Sequence, residues 1–300
     1  MIYLLEKLKR RVIYLVRKRA LGDVLWIEPV IRQLAALRND VVVYTKYPEL
    51  FCHYPLPNVR FTSRLNLWEK IRWALQNKMA IGHSFVDLEH AYEKDSKKHF
   101  LHAYQQAAGV PSTCEYPRLL LTADEETYRP AEAGEGRYVV LHLESLTDRN
   151  YRNIFGVEWE KVVSHLAEKG FATVLIGKEP VPVPGARIAP TSIPQMMGTI
   201  KNASFFIGID SGPSHIAAAL GTPVLIFFGA VNPEFRHFKS LLKGRILQQP
   251  CEYAGWYHEA TDATGWSCRL VGDNGIPKCS LFTTEYVLNN IDLLVKGYGL

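Results

Sequence analysis

The run Asp210-Ser211-Gly212-Pro213-Ser214-His215 combines residue types that together suit the capture of an anion. Serine at a helix cap and proline at the first helical position are what a helix start requires. The N–H groups of the first turn then point outward at the positive end of the helix dipole, which makes a ready site for phosphate. Gly212 has no Cβ, so backbone can approach the anion closely, and His215 lies near enough in the first turn to add a donor. A capped βαβ unit with no ligand would need the same cap, proline and glycine. The aspartate and histidine flanking the turn are what point to a site.

Two other turns carry candidates. In Ala20-Leu21-Gly22-Asp23-Val24, Gly22 frees the backbone and Asp23 sits near a helix start, where a carboxylate complements the dipole. On these residues alone Asp23 reads as a helix-start charge before a catalytic base. In Asp148-Arg149-Asn150-Tyr151-Arg152, two guanidinium groups in a post-strand loop offer the forked donors that suit phosphate. A solvated loop accounts for them equally well. Near the C-terminus Cys251, Cys268 and Cys279 bracket a segment with His258, enough ligands for a four-coordinate zinc or iron site. No Cys-x-x-Cys pair occurs and the gaps are long and irregular, so ordinary thiols are preferred and no metal is expected.

The elements that must position these residues follow from periodicity. Apolar, β-branched runs at 12–16, 41–45, 84–88, 138–143, 172–176, 204–209 and 223–228 read as buried strands. Helical spacing is found at 24–38, 97–108, 157–168, 213–220 and 285–296, with Pro29 either starting a helix or kinking one. This alternation is the signature of βα units and parallel sheets. The polar stretch 122–137, with Pro130, Gly134 and Gly136, reads as a linker. The expected architecture is therefore two similar α/β halves, residues 1–130 and 131–300.

Composition and absent motifs narrow the function. The 300 residues are 47% hydrophobic and 22% charged, as in a folded globular protein. No run of about 18 apolar residues marks a membrane span, and the N-terminus lacks the pattern of a secretory signal, so a cytoplasmic location is expected. Lys7, Lys9, Arg10, Arg11, Arg17, Lys18 and Arg19 face only Glu6 in the first 19 residues, a net +6 in a chain of +5. That segment is either a solvated basic edge or an attractor of an anionic substrate or membrane surface, which would make the protein peripheral on the inner membrane face. A nucleic-acid partner is not expected, because no basic stripe interleaved with aromatics follows. The chain contains no G-x-G-x-x-G, G-x-x-x-x-G-K-[ST], H-E-x-x-H or G-x-S-x-G. Asp87-Leu88-Glu89, the nearest variant of Asp-x-Asp, reads as structural.

Gly22-Asp23-Val24-Leu25, followed about 185 residues later by Asp210 to Pro223 (DSGPSHIAAALGTP), resembles glycosyltransferase family 9, which contains the ADP-heptose–lipopolysaccharide heptosyltransferases. The resemblance implies a GT-B fold, two Rossmann-like domains facing a cleft, with the nucleotide-sugar donor held mainly by the C-terminal one. It implies an inverting transfer of heptose or a related sugar, ADP-heptose being the family's commonest donor, to a saccharide or lipid-linked acceptor of lipopolysaccharide or surface glycan. No cofactor is implied. Asp23 matches the general base, and Asp210 the acidic residue near the donor sugar. Ser211, Gly212 and Pro213 match the turn that cradles the diphosphate, and His215 the histidine beside it. Arg152 falls where the family usually has a lysine, while Ile154 replaces a neighbouring tryptophan. The spacing of the C-terminal cysteines also loosely resembles the iron-binding heptosyltransferases that modify bacterial autotransporters. A hydrolase or epimerase acting without an acceptor, and a non-transferring nucleotide-sugar-binding protein, are the competing readings.

Overall fold

The computed structural model describes residues 11–79, 84–92, 94, 97–145, 149–252, 254–255 and 275–300, and the side chains of Arg149 and Asn150 are not among them. The chain divides into two units, Met1–Leu120 and Leu121–Leu300.

In the first unit the strands are β1 (Val12–Val16), β2 (Asp40–Tyr44), β3 (Val59–Thr62) and β4 (Phe85–Asp87). They pair in parallel in the order β3-β2-β1-β4. Helices α1 (Leu21–Trp26) and α2 (Glu28–Ala36) link β1 to β2, α3 (Leu67–Met79) precedes β4, and α4 (Phe100–Ala107) follows it. The single helix expected over 24–38 is two. Pro29 lies in the first turn of α2, and Ile27 closes α1 and opens α2 at once. A proline nitrogen has no hydrogen to donate to the preceding turn, so a break at this point costs little. Leu15, Val24, Trp26, Val30, Ile31 and Val43 are fully buried between the sheet and these helices.

The second unit contains β5 (Tyr138–His142), β6 (Ala172–Leu175), β7 (Arg187–Ile188), β8 (Phe205–Ile209), β9 (Val224–Phe228) and β10 (Gly244–Gln248). All neighbours are parallel, in the order β10-β9-β8-β5-β6-β7. Counted within the unit, this is the 3-2-1-4-5-6 arrangement of the dinucleotide-binding fold, with its topological switch point between β5 and β8. The unit's helices are α5 (Ala123–Thr127), α6 (Arg149–Arg152), α7 (Trp159–Glu168), α8 (Ile193–Lys201), α9 (Gly212–Leu220) and α10 (Thr284–Tyr298). Val139, Leu141, Phe205, Ile207 and Phe227 from the sheet pack with Val162, Leu166, Ile291 and Leu294 of α7 and α10. The strands are buried on both faces, as covered parallel sheets require.

The stretch read as a linker is structured and belongs to this unit. The Thr122 hydroxyl accepts from Glu125 N at 3.2 Å while the Glu125 carboxylate accepts from Thr122 N at 2.8 Å, a capping box that opens α5. Asn202 Nδ2 then donates to Glu126 O and Tyr128 O, fastening α5 to the end of α8. Gly198 makes the approach possible, since a Cβ there would stand 2.5 Å from Glu125 O. Among the described residues no helix is long and apolar enough to cross a membrane.

Candidate functional site

In a doubly wound sheet, ligands bind outside the carboxyl ends of the strands at the switch point. His142 is the last residue of β5, and Asp210 and Ser211 follow the last residue of β8, so all three stand at that point in the second unit. Ser211 occupies the cap position of α9, but its hydroxyl lies 3.1 Å from His142 Nδ1 and makes no cap hydrogen bond to the helix. The Ser214 hydroxyl closes the turn instead, accepting from Ser211 N at 3.3 Å and donating to Ser211 O at 2.7 Å, and Pro213 in the first turn of this nine-residue helix has no N–H to satisfy. Burial lowers the His142 pKa to about 4, so this imidazole is neutral near pH 7.

Asp210 is 1% exposed, and among the described residues neither carboxylate oxygen has a hydrogen-bond partner. A guanidinium and an imidazole stand nearby. Arg152 Nη1 is 3.4 Å from Oδ2, and His215 Nε2 is 3.7 Å from Oδ1. A buried carboxylate without donors is costly, and such groups persist where a site needs them. His215 is stacked at 4.5 Å on His237, which is itself buried against the edge of Phe228. Burial, reinforced by His215, holds the His237 pKa well below the usual histidine value, so His237 packs as a neutral ring and fixes the plane of His215.

Arg152 reaches Asp210 because α6 is fastened to the end of β9. Ala230 N donates to Tyr151 O at 3.1 Å, and a Cβ on Gly229 would lie 2.6 Å from that same carbonyl. Asn153 Oδ1 accepts from Ser145 N at 3.0 Å, tying the far end of the turn to the strand β5. Beside it lies a pocket of about 250 Å³ lined by Glu144, Ser145, Asn153, Trp159, Glu179, Val181 and Val183. The Glu144 carboxylate accepts from Lys178 N and Glu179 N and so shapes the turn after β6.

Asp23 belongs to the other unit. It sits beyond the carboxyl end of β1, which pairs with β2 on one side and β4 on the other, the corresponding switch point of that sheet. Its Oδ1 accepts from the Tyr104 hydroxyl at 2.7 Å and pairs with Arg17 Nη2 at 3.0 Å, while Ala20 N reaches Oδ2 at 3.3 Å. Arg17 is 4% exposed, lies over the rings of Tyr92 and Tyr104, and donates to Leu88 O and Glu89 O. Within the basic N-terminal segment Arg11 and Arg19 are exposed, whereas Arg17 is a buried partner of Asp23. Lys7, Lys9 and Arg10 lie outside the described residues. Burial and the Asp23 carboxylate both push the Tyr104 hydroxyl pKa well up, so it remains a donor.

The model of glycosyltransferase family 9 (heptosyltransferase) matches residues 65–247, more than half of the chain. The chain belongs to glycosyltransferase family 9. Lipopolysaccharide heptosyltransferase 3 of Escherichia coli K12 is 34% identical over 94 residues, 26% of this chain and 27% of that protein. The matched stretch thus spans about a quarter of that relative's length. Among solved structures, the iron-containing dodecameric glycosyltransferase TibC from enterotoxigenic E. coli H10407 superposes with a TM-score of 0.72 at 19% identity, covering 96% of this chain and 77% of TibC. TibC has also been solved in complex with ADP-D-beta-D-heptose. The E. coli ADP-heptose lipopolysaccharide heptosyltransferase II superposes with a TM-score of 0.68 at 15% identity, covering 97% of this chain and all of that one. These superpositions show that the family 9 chain has the GT-B fold.

Of the residues singled out in the sequence, Arg152, Asp210, Ser211, Gly212, Pro213 and His215 come together in the second unit, and Asp23 stands in the first. Cys251 is partly exposed and Cys279 is buried, while Cys268 and His258 lie outside the described residues. Sequence reasoning missed Arg17, Tyr104, His142, His237, Glu144 and Glu179. His142 at a strand end and Glu179 just after the next strand were the available signals, since an acidic residue after the second strand of such a unit is where ribose hydroxyls are held.

Proposed function

We propose that this chain is an inverting glycosyltransferase that moves heptose or a related sugar from an ADP-linked donor to a saccharide acceptor. The observation that carries this reading is Asp210. Among the described residues its two buried oxygens have no hydrogen-bond donor, and the start of α9 and Arg152 lie beside them. A nucleoside diphosphate sugar complements all three. Phosphate oxygens accept from the first-turn N–H groups of α9 and from Arg152, and sugar hydroxyls donate to Asp210. The pocket at Glu144, Trp159 and Glu179 then has the place and size for the nucleoside, with Glu179 positioned for ribose hydroxyls. The first unit is assigned to the acceptor and the second, which begins at Leu121 and not at residue 131, to the donor. ADP-heptose as donor is supported by family membership and by the complex of TibC.

In the reaction the acceptor hydroxyl gives its proton to Asp23 as its oxygen attacks the anomeric carbon from the face opposite the diphosphate. The bond from that carbon to the phosphate oxygen breaks, and the negative charge left on the phosphate is stabilised by the α9 start and Arg152. General-base assistance is worth about a hundredfold or more in rate.

Calorimetry against ADP, GDP and UDP tests the donor site first, followed by release of ADP from ADP-heptose with lipopolysaccharide-core acceptors. Binding of ADP that weakens in Asp210→Ala and His215→Ala, with acceptor-dependent ADP release, is the expected result. Turnover without acceptor would replace transfer by hydrolysis or epimerisation, and binding of no nucleotide would sink the donor site.

A further inference from the structure

Helix α3 is mounted with its polar side inward. Within Leu67–Met79, Glu69 is buried and Trp73 and Gln76 are half-buried, whereas the other ten positions are exposed. At about 100° per residue those three inward positions fall within an arc of roughly 60°. Each has a partner in the unit's own sheet. The Glu69 carboxylate pairs with Arg60 at 3.0 Å, Trp73 stacks on Phe85, and the Gln76 amide donates to Phe85 O and accepts from Phe85 N, closing the edge strand β4. The apolar residues point the other way. Leu67 is 69% exposed, Trp68 74% and Met79 62%, with Ile71 and Leu75 between them. They occupy an arc of roughly 120° opposite the inward face.

Five large apolar side chains on one outward stripe are more than scattered surface hydrophobics, and such a patch marks a contact surface. Its charge identifies the partner. The exposed charges of α3 are Lys70, Arg72 and Lys78, and the helix's one acid, Glu69, is turned inward against Arg60. Apolar residues including a tryptophan, with Lys78 among them, Lys70 and Arg72 on either side and no exposed anion on the helix, match the interface of a negatively charged bilayer. A second copy of the same face fits less well, because two-fold packing would bring like charges together around the stripe. We propose that the outward face of α3 is a docking surface for an anionic lipid membrane, with the helix lying in the plane of the interface. This inference goes beyond the transferase reading and does not depend on it.

Flotation of the full chain with phosphatidylcholine vesicles, with and without phosphatidylglycerol, tests it. The protein is expected to float with the anionic vesicles, to bind neutral ones far less, and to be released by salt. Trp68→Ala with Ile71→Ala should lower the partition coefficient about tenfold or more. Lys70→Gln and Arg72→Gln should each lower it about fivefold. All four positions are exposed, so unchanged circular dichroism and thermal midpoints are expected in every variant. Failure to float with anionic vesicles overturns the proposal, and so does equal flotation of wild type and variants. Variants that float normally but lose sedimentation mass would assign the stripe to a second copy instead.

Discussion

The Asp210 carboxylate is buried with Arg152 at 3.4 Å and His215 at 3.7 Å and, among the described residues, no hydrogen bond. The fold therefore gains little from the charge, and a ligand with hydroxyl donors gains much. Asp210→Asn removes the charge at nearly constant volume, so its unfolding midpoint should not fall. Its turnover should drop on the order of a hundredfold, the loss expected of a charge-assisted hydrogen bond to substrate. A variant that unfolds earlier while keeping its activity would make Asp210 a structural residue. Asp23 calls for the opposite dissection: Asp23→Asn should cost about a hundredfold in kcat while ADP affinity, read by calorimetry, stays as in wild type. Tyr104→Phe removes the donor that orients Asp23, and should lower kcat severalfold with the nucleotide affinity again unchanged. Parallel losses of kcat and ADP binding in either variant would contradict the base assignment. The run from Asp210 to His215 was readable because a cap, a proline, a glycine and a histidine sit consecutively. Tyr104 was not, since a helix 81 positions along the chain brings it to Asp23, and Arg17, six residues before Asp23, was submerged in a run of cations.

Elements with strong internal periodicity were the ones legible in the sequence. Strands β5, β8 and β9 are runs rich in branched and aromatic residues buried on both faces, β1 is buried from Tyr14 onward, and all four spans match the apolar runs closely. Strands β3, β7 and β10 escaped because they are outer strands of four, two and five residues whose alternation is weak. The α3 helix escaped for a different reason. Its inward positions are Glu69, Trp73 and Gln76, so the usual rule that the apolar stripe faces the core points the wrong way. Asp87 illustrates a local reading that the geometry supports, since its carboxylate accepts from Glu89 N at 2.9 Å and closes the turn after β4. The placement of α6 rests on a backbone approach that no pattern displays. A methyl group at Gly229 would stand 2.6 Å from Tyr151 O and 2.4 Å from Ser280 Oγ. Gly229→Ala should therefore displace α6 and Arg152 with it, destabilising the protein by about 1–3 kcal/mol and weakening ADP binding. Retained ADP affinity in a destabilised variant would show that Arg152 does not depend on this contact.

At the scale of the whole molecule, two buried imidazoles couple stability to pH. His142 has its pKa lowered from 6.5 to about 4, and His237 is shifted in the same direction, both chiefly by burial. A histidine in the unfolded chain takes up its proton near pH 6.5, whereas the folded protein resists it, so below that pH the unfolded state binds more protons. Stability contributed by keeping these rings neutral is fully present above 6.5 and is lost as the pH falls towards 4. For His142 the shift corresponds to about 3 kcal/mol across that window, at 1.36 kcal/mol per unit. Asp292 and Glu115 have carboxyl pKa values lowered by their hydrogen bonds and by neighbouring cations, despite opposing burial, and their stabilisation disappears only at more acid pH. The two effects therefore separate along the pH axis. Urea unfolding followed from pH 7.5 to 4 should show midpoints falling before the carboxylates titrate, and His142→Gln should flatten that upper limb. Parallel curves for the variant and wild type would mean that His142 takes up its proton in the folded protein as readily as in the unfolded chain, near pH 6.5. The Ser211 hydroxyl would then face an imidazolium, and the start of α9 would have an additional positive charge with which to hold a diphosphate.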